Sequence, residues 1–103
     1  MKLETLGRYS NPSLLILASL AEGPKHGYAM MADIEAMTDI RLGPGTLYGA
    51  LVRLEGAGWI RALPAQDRRR PYALTAKGAS ALREELTTLQ TLASTGLKRL
   101  AAR

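Results

Sequence analysis

Gly43-Pro44-Gly45-Thr46-Leu47-Tyr48-Gly49-Ala50-Leu51-Val52-Arg53-Leu54-Glu55 leads through Gly56 and Gly58 into Trp59-Ile60, and its pattern decides the fold. Proline suits the first position of a helix, where its missing N–H would be unpaired in any case, and Gly43 can take the cap position before it. Leu47, Leu51 and Leu54 recur at spacings of four and three, which places them on one helical stripe. The opposite side carries Thr46, Tyr48, Gly49, Val52 and Arg53, and Gly56 and Gly58 supply the freedom that ends the helix. One face suits a core and the other a partner.

Beyond Gly58 the pattern changes to period two. Trp59 to Leu63 and Pro71 to Thr75 read as two short strands, joined by Pro64-Ala65-Gln66-Asp67-Arg68-Arg69-Arg70, with turn chemistry at one end and three guanidinium groups at the other. An isolated two-stranded ribbon is marginal in water, so Trp59, Ile60 and Leu74 must pack it onto helices. Thr75 can then cap a last helix running to about Ala101. Along it Ala79, Leu82, Leu86, Leu89, Ala93, Gly96 and Leu100 alternate steps of three and four, a seam of the coiled-coil type. A helix of about 39 Å overhangs so small a domain, and a second copy of the chain would cover its leucines.

Upstream, Asn11-Pro12 is a helix start, and Leu14, Leu15, Ile16, Leu17, Ala18, Leu20 and Ala21 are apolar nearly all round, as a central core helix requires. Gly23-Pro24 ends it. Lys25-His26-Gly27 reads as a turn into a second helix reaching about Thr38, with Tyr28, Met31, Ile34 and Met37 as its apolar stripe. Asp39 to Leu42 is a brief strand or an extended connection. Met1 to Ser10 is a short helix or an arm. Helix, turn and helix thus stand in sequence, the second of the pair exposing its outer face.

Composition narrows the function. The chain has 103 residues and 47% hydrophobic content, one domain's worth. No apolar run approaches the ~18 residues of a membrane span and no signal peptide is visible, so no membrane partner is expected. With no cysteine and a single histidine there is no metal site or disulfide, and a cytoplasmic location fits. The net charge of +5 is segregated: residues 41–77 hold Arg41, Arg53, Arg61, Arg68, Arg69, Arg70 and Lys77 against Glu55 and Asp67, while the rest of the chain balances. Such a patch suits phosphates, although a solvated basic face has the same composition. No Gly-rich phosphate loop, H-E-x-x-H pair or acid–base–nucleophile set occurs, so no enzyme, catalytic residue or cofactor is expected.

These features describe a mainly α protein with a small β-wing: a winged helix-turn-helix over residues 1–75 and a long C-terminal dimerisation helix over 76–103. The sequence resembles the PadR family of transcriptional regulators. The resemblance is carried by His26-Gly27-Tyr28, by Gly45-Thr46-Leu47-Tyr48 with Leu51, Arg53, Leu54, Glu55, Gly58, Trp59 and Ile60, and by Arg69-Arg70-Pro71-Tyr72, Leu74-Thr75 and Gly78. It implies a homodimeric repressor on a palindromic double-stranded DNA operator, with the helix at 44–57 in the major groove and the wing at 59–75 on the flanking backbone. The single C-terminal helix looks like the family's smaller subtype. Gly43 departs from the serine that often precedes the proline. Some small members bind flat aromatic drugs between tryptophans of the terminal helices, whereas the one tryptophan here is Trp59.

The DNA-binding residues expected are His26, Tyr28, Thr46, Tyr48, Gly49, Arg53, Arg68, Arg69, Arg70 and Tyr72. Tyr48 and Tyr72 could equally be packing residues, and Trp59 is assigned to the core between helix and wing. The dimerisation residues expected are Leu82, Leu86, Leu89, Ala93 and Leu100. A small-molecule effector would bind at the dimer interface, between the terminal helices and the Met30 region, because a domain this small has no room for an interior pocket. The competing reading is a winged-helix module that binds protein and has no specific DNA target.

Overall fold

The computed structural model describes residues 11–103, so the short helix or arm expected over 1–10 lies outside the described residues. Helix α1 (Pro12–Leu20) begins where Asn11 Oδ1 accepts the Leu14 N–H at 3.3 Å, with proline in its first turn. It is the central element, touching α2 (Gly27–Thr38), α3 (Pro44–Gly56), the wing and α4 (Ala76–Ala101). Ile16, Leu17 and Leu20 are buried from α1, Leu47, Ala50, Leu51 and Leu54 from α3, and Ile60 from the wing. The leucine stripe of the central stretch is therefore the core face of α3, as its spacing requires.

Helix α2 differs from expectation. Met30 and Ile34 are its fully buried apolar side chains, while Tyr28 and Met37 are exposed and Met31 is half-buried. Steps of three residues each fall about 60° short of a full turn, so Tyr28 and Met37 lie on opposite sides of the helix and cannot share a face. The helix stops at Asp39, whose backbone is left-handed at φ 61°, and Thr38 Oγ1 accepts the Ile40 N–H at 3.0 Å. Residues 40–43 then connect to α3 without forming a strand, with Leu42 buried.

The wing strands are shorter than the period-two pattern: β1 (Ile60–Ala62) pairs antiparallel with β2 (Tyr72–Leu74) in the register Ile60–Leu74, Arg61–Ala73, Ala62–Tyr72. Lys25 adds an unforeseen third strand position. Its N–H and C=O exchange bonds of 3.1 and 2.9 Å with the backbone of Tyr72, tying the turn before α2 to the wing.

Helix α4 has the predicted bounds, and Thr75 caps it by accepting the Gly78 N–H at 3.0 Å. Its first turns belong to the winged-helix body: Leu82, expected on the dimer seam, is instead buried in the domain's own core. Gly78 is packed so tightly on the Trp59 carbonyl that a β-carbon would overlap it. Beyond Leu82, the side chains of Leu86, Leu89, Leu92, Leu97 and Leu100 are exposed, and the molecule extends to 55 × 30 × 20 Å.

Candidate nucleic-acid interface

Helix α3 starts without a side-chain cap, as Gly43 dictates, and presents Thr46, Tyr48, Val52 and Arg53 to solvent, with Gly49 half-exposed. Arg53 lies in the last turn, where a cation complements the helix dipole, and its guanidinium reaches back over Gly49. Tyr48 leans on the start of α2. A β-carbon at Gly27 would stand 2.6 Å from the Tyr48 hydroxyl, so glycine there is what lets the Tyr48 ring lie against α2.

The wing ends in a tight turn. Gln66 and Arg69 exchange backbone bonds of 2.7 and 2.8 Å across Asp67 and Arg68, whose φ values are 50° and 66°. Two consecutive left-handed residues make the hairpin turn that matches strand twist, usually filled by Asn-Gly. Arg68 keeps a long cationic side chain at a position where glycine is favoured.

Two of the three arginines at the tip have partners within the chain. Arg70 Nη1 donates to the Leu63 carbonyl at 3.4 Å, closing the base of the hairpin. Arg69 Nη1 lies 3.4 Å from His26 Nε2. His26 is the cap of α2, its Nδ1 accepting the Ala29 N–H at 3.4 Å, an arrangement that leaves the ring proton on Nε2. Nε2 and the Arg69 guanidinium are then both donors, and an anionic oxygen between them would accept from each.

One depression gathers His26, Gly27, Tyr28, Tyr48, Arg68, Arg69, Arg70 and Tyr72. Seven of the ten residues expected to meet DNA thus surround a single hollow between α2, α3 and the wing. Thr46, Gly49 and Arg53 do not line it but lie along the exposed face of α3. Tyr72 is half-buried against the core, as a packing residue would be, and also lines the hollow. Trp59 is likewise half-buried against the core, between helix and wing.

Sequence reasoning missed what holds this arrangement in place. Lys25 Nζ donates to the Ser19 carbonyl and pairs with Glu22 at 2.7 Å and Asp33 at 3.7 Å, while Ser19 Oγ donates to Asp33 at 2.6 Å. The cluster locks α1 to α2 at the residue whose backbone also pairs with the wing. Only its charges were legible, because the pairing needs residues 19, 22, 25 and 33 folded together. Lys77 was counted only as part of the basic patch, whereas its Nζ caps the end of α3 by donating to the Ala57 carbonyl at 2.9 Å. Among the described residues, no group of three His, Asp or Glu could hold a metal ion, and no helix is long and apolar enough to cross a membrane.

Known proteins share this fold. A transcriptional regulator from Clostridium thermocellum is 26% identical, with 95% of this chain and 96% of that one covered at a TM-score of 0.76. A PadR family transcriptional regulator from Eggerthella lenta is 28% identical, with 95% and 88% covered at a TM-score of 0.77. An uncharacterised 37.1 kDa protein in transposon TN4556 of Streptomyces fradiae is 45% identical over 85 residues, which are 82% of this chain but 25% of that protein. The chain therefore spans about a quarter of that relative's length. The profile of the transcriptional regulator PadR-like family matches residues 16–84, and with two thirds of its length so matched, the chain belongs to the PadR-like family of transcriptional regulators.

Proposed function

We infer that the protein is a homodimeric repressor that binds a palindromic operator in the cytoplasm, with α3 in the major groove and the wing on the flanking backbone. The observation that carries this reading is the confinement of the whole +5 excess to residues 41–77, the segment that contains α3 and the wing. Phosphates are the partner that rewards such segregation. Arg68 supports it further, since a guanidinium is retained at the hairpin tip despite its left-handed backbone.

Dimerisation rests on α4. Past Leu82 the seam of Leu86, Leu89, Ala93 and Leu100 is exposed, and a second α4 would bury it. A groove beside the seam, lined by Ala21, Leu74, Ala79, Leu82, Leu86 and Leu89, lies where the body of the domain and that second copy would meet. A small-molecule effector, where one is used, would bind at this interface. Met30, expected to line it, is fully buried in the core and takes no part.

Binding to a generic duplex tests the reading. DNA should be bound with a Kd on the order of 10⁻⁴ to 10⁻⁶ M at physiological salt, weakening steeply as salt rises. A module built to bind protein would show no salt-dependent affinity for the duplex.

A further inference from the structure

Val52 stands at the centre of the exposed face of α3 and is 71% exposed, although it is apolar and the helix has a well-formed core side on which to bury such residues. Along the helix its neighbours on one line are glycines, with Tyr48 and Glu55 to one side and Arg53 to the other. Gly45, Gly49 and Gly56 fall on the same narrow stripe, at spacings of four, three and four with Val52 between the last two. A β-carbon would meet nothing within 4 Å at Gly45 or Gly56, and at Gly49 only the Arg53 guanidinium at 3.7 Å. None of the three has the positive φ that would require glycine. The positive φ expected to end the helix falls on Gly58 and not on Gly56, so folding of the domain has no use for these three glycines, which weaken the helix relative to alanine. A helix stripped of side chains along one line, with a single branched apolar group left standing, is shaped to press its backbone against a surface that has one apolar feature. Arg53 beside that stripe and the wing arginines mark the surface as polyanionic.

We propose that Val52 is a specificity-determining residue that reads the C5-methyl group of a thymine in the major groove; this rests on the reading of α3 as the helix that enters that groove. The thymine methyl is the apolar group that the major-groove edges of the base pairs present. The glycine stripe lets the helix sit deep enough for a side chain as short as valine to reach it, while Arg53 stands next to the contact with a polar group.

The test uses duplexes enriched from a random pool by the wild-type protein, in which each thymine is replaced in turn by deoxyuridine. That change deletes the methyl group and leaves base pairing and phosphates intact. Wild-type affinity should fall about fourfold at one thymine in each half-site, the equivalent of the ~0.8 kcal/mol of a buried methylene-sized group. Val52→Ala, which suits an exposed helical position, should bind the thymine duplex about as weakly as the wild type binds the uracil duplex. It should then lose nothing more on uracil. Enriched duplexes that tolerate uracil everywhere would overturn the proposal, as would a Val52→Ala protein that still senses uracil as the wild type does. A pool from which no sequence is enriched would instead remove the DNA reading beneath it.

Discussion

Two glycines that look alike in the sequence should behave differently. At Gly78 the obstacle to a β-carbon is the backbone carbonyl of Trp59, which also accepts the Thr75 N–H and cannot move alone. Gly78→Ala should therefore cost about 3 kcal/mol or more, at the upper end of overpacking effects, and thermal or urea unfolding measures it directly. At Gly27 the obstacle is mainly the far end of Tyr48, which can swing away. Gly27→Ala should cost no more than about 1 kcal/mol in unfolding experiments yet weaken DNA binding, because Tyr48 leaves the hollow it shares with His26 and the wing. Asp39 offers a gain. It carries a negative charge at the C-terminal end of α2, where the helix dipole is also negative, and it is left-handed at φ 61°. Asn tolerates that backbone without the charge, so Asp39→Asn should stabilise the fold by about 0.3 to 1 kcal/mol at low salt.

Among the elements, α3 and the wing should fail in different ways. Replacing Arg68, Arg69 and Arg70 together by Ala should weaken binding to every duplex and flatten log K against log salt by up to ~2 to 3 per wing. Arg53→Ala, if its guanidinium reaches a base, should cost about 1 to 3 kcal/mol on the preferred site and far less on random DNA. Salt titrations of both variants on both duplexes decide the matter: equal losses for Arg53→Ala make it a backbone contact, and an unchanged slope for the wing variant removes the wing from the interface. Elements with local signals were legible beforehand. Asn11-Pro12, Pro44 and Thr75 mark their own helix starts, and the leucine spacing of α3 names its core face. Features made by residues distant in sequence were not. The pairing of Lys25 with Tyr72 joins positions 47 apart in the chain and leaves no periodic trace, and the stripe on α2 was misplaced because its step of three drifts around the helix. Most of the hollow was legible as a set of residue types, but its convergence was not, since it depends on where that unforeseen strand position puts His26 relative to Arg69.

At the scale of the whole molecule, α4 does two jobs along its length. Its first turns, with Gly78 and Leu82, complete the domain core, and its later turns carry leucines that the domain leaves exposed. Of the seam expected from Ala79 to Leu100, Leu82 lies in that core and Leu86 is the first leucine left exposed. Replacing Leu86 and Leu89 together by Lys should leave unfolding cooperative, because neither residue belongs to the core, yet yield monomers that bind DNA poorly. Sedimentation at micromolar concentration checks this, and a monomeric wild type would rule out the dimer. The most direct measurement of the central claim is selection of bound duplexes from a random DNA pool by the full chain. Two copies related by a twofold axis, each presenting one α3, should enrich an inverted repeat whose half-sites are centred one helical turn, about 10 base pairs, or a whole multiple of it apart. A pool without enrichment, or one enriched in a single unpaired half-site, would contradict the account.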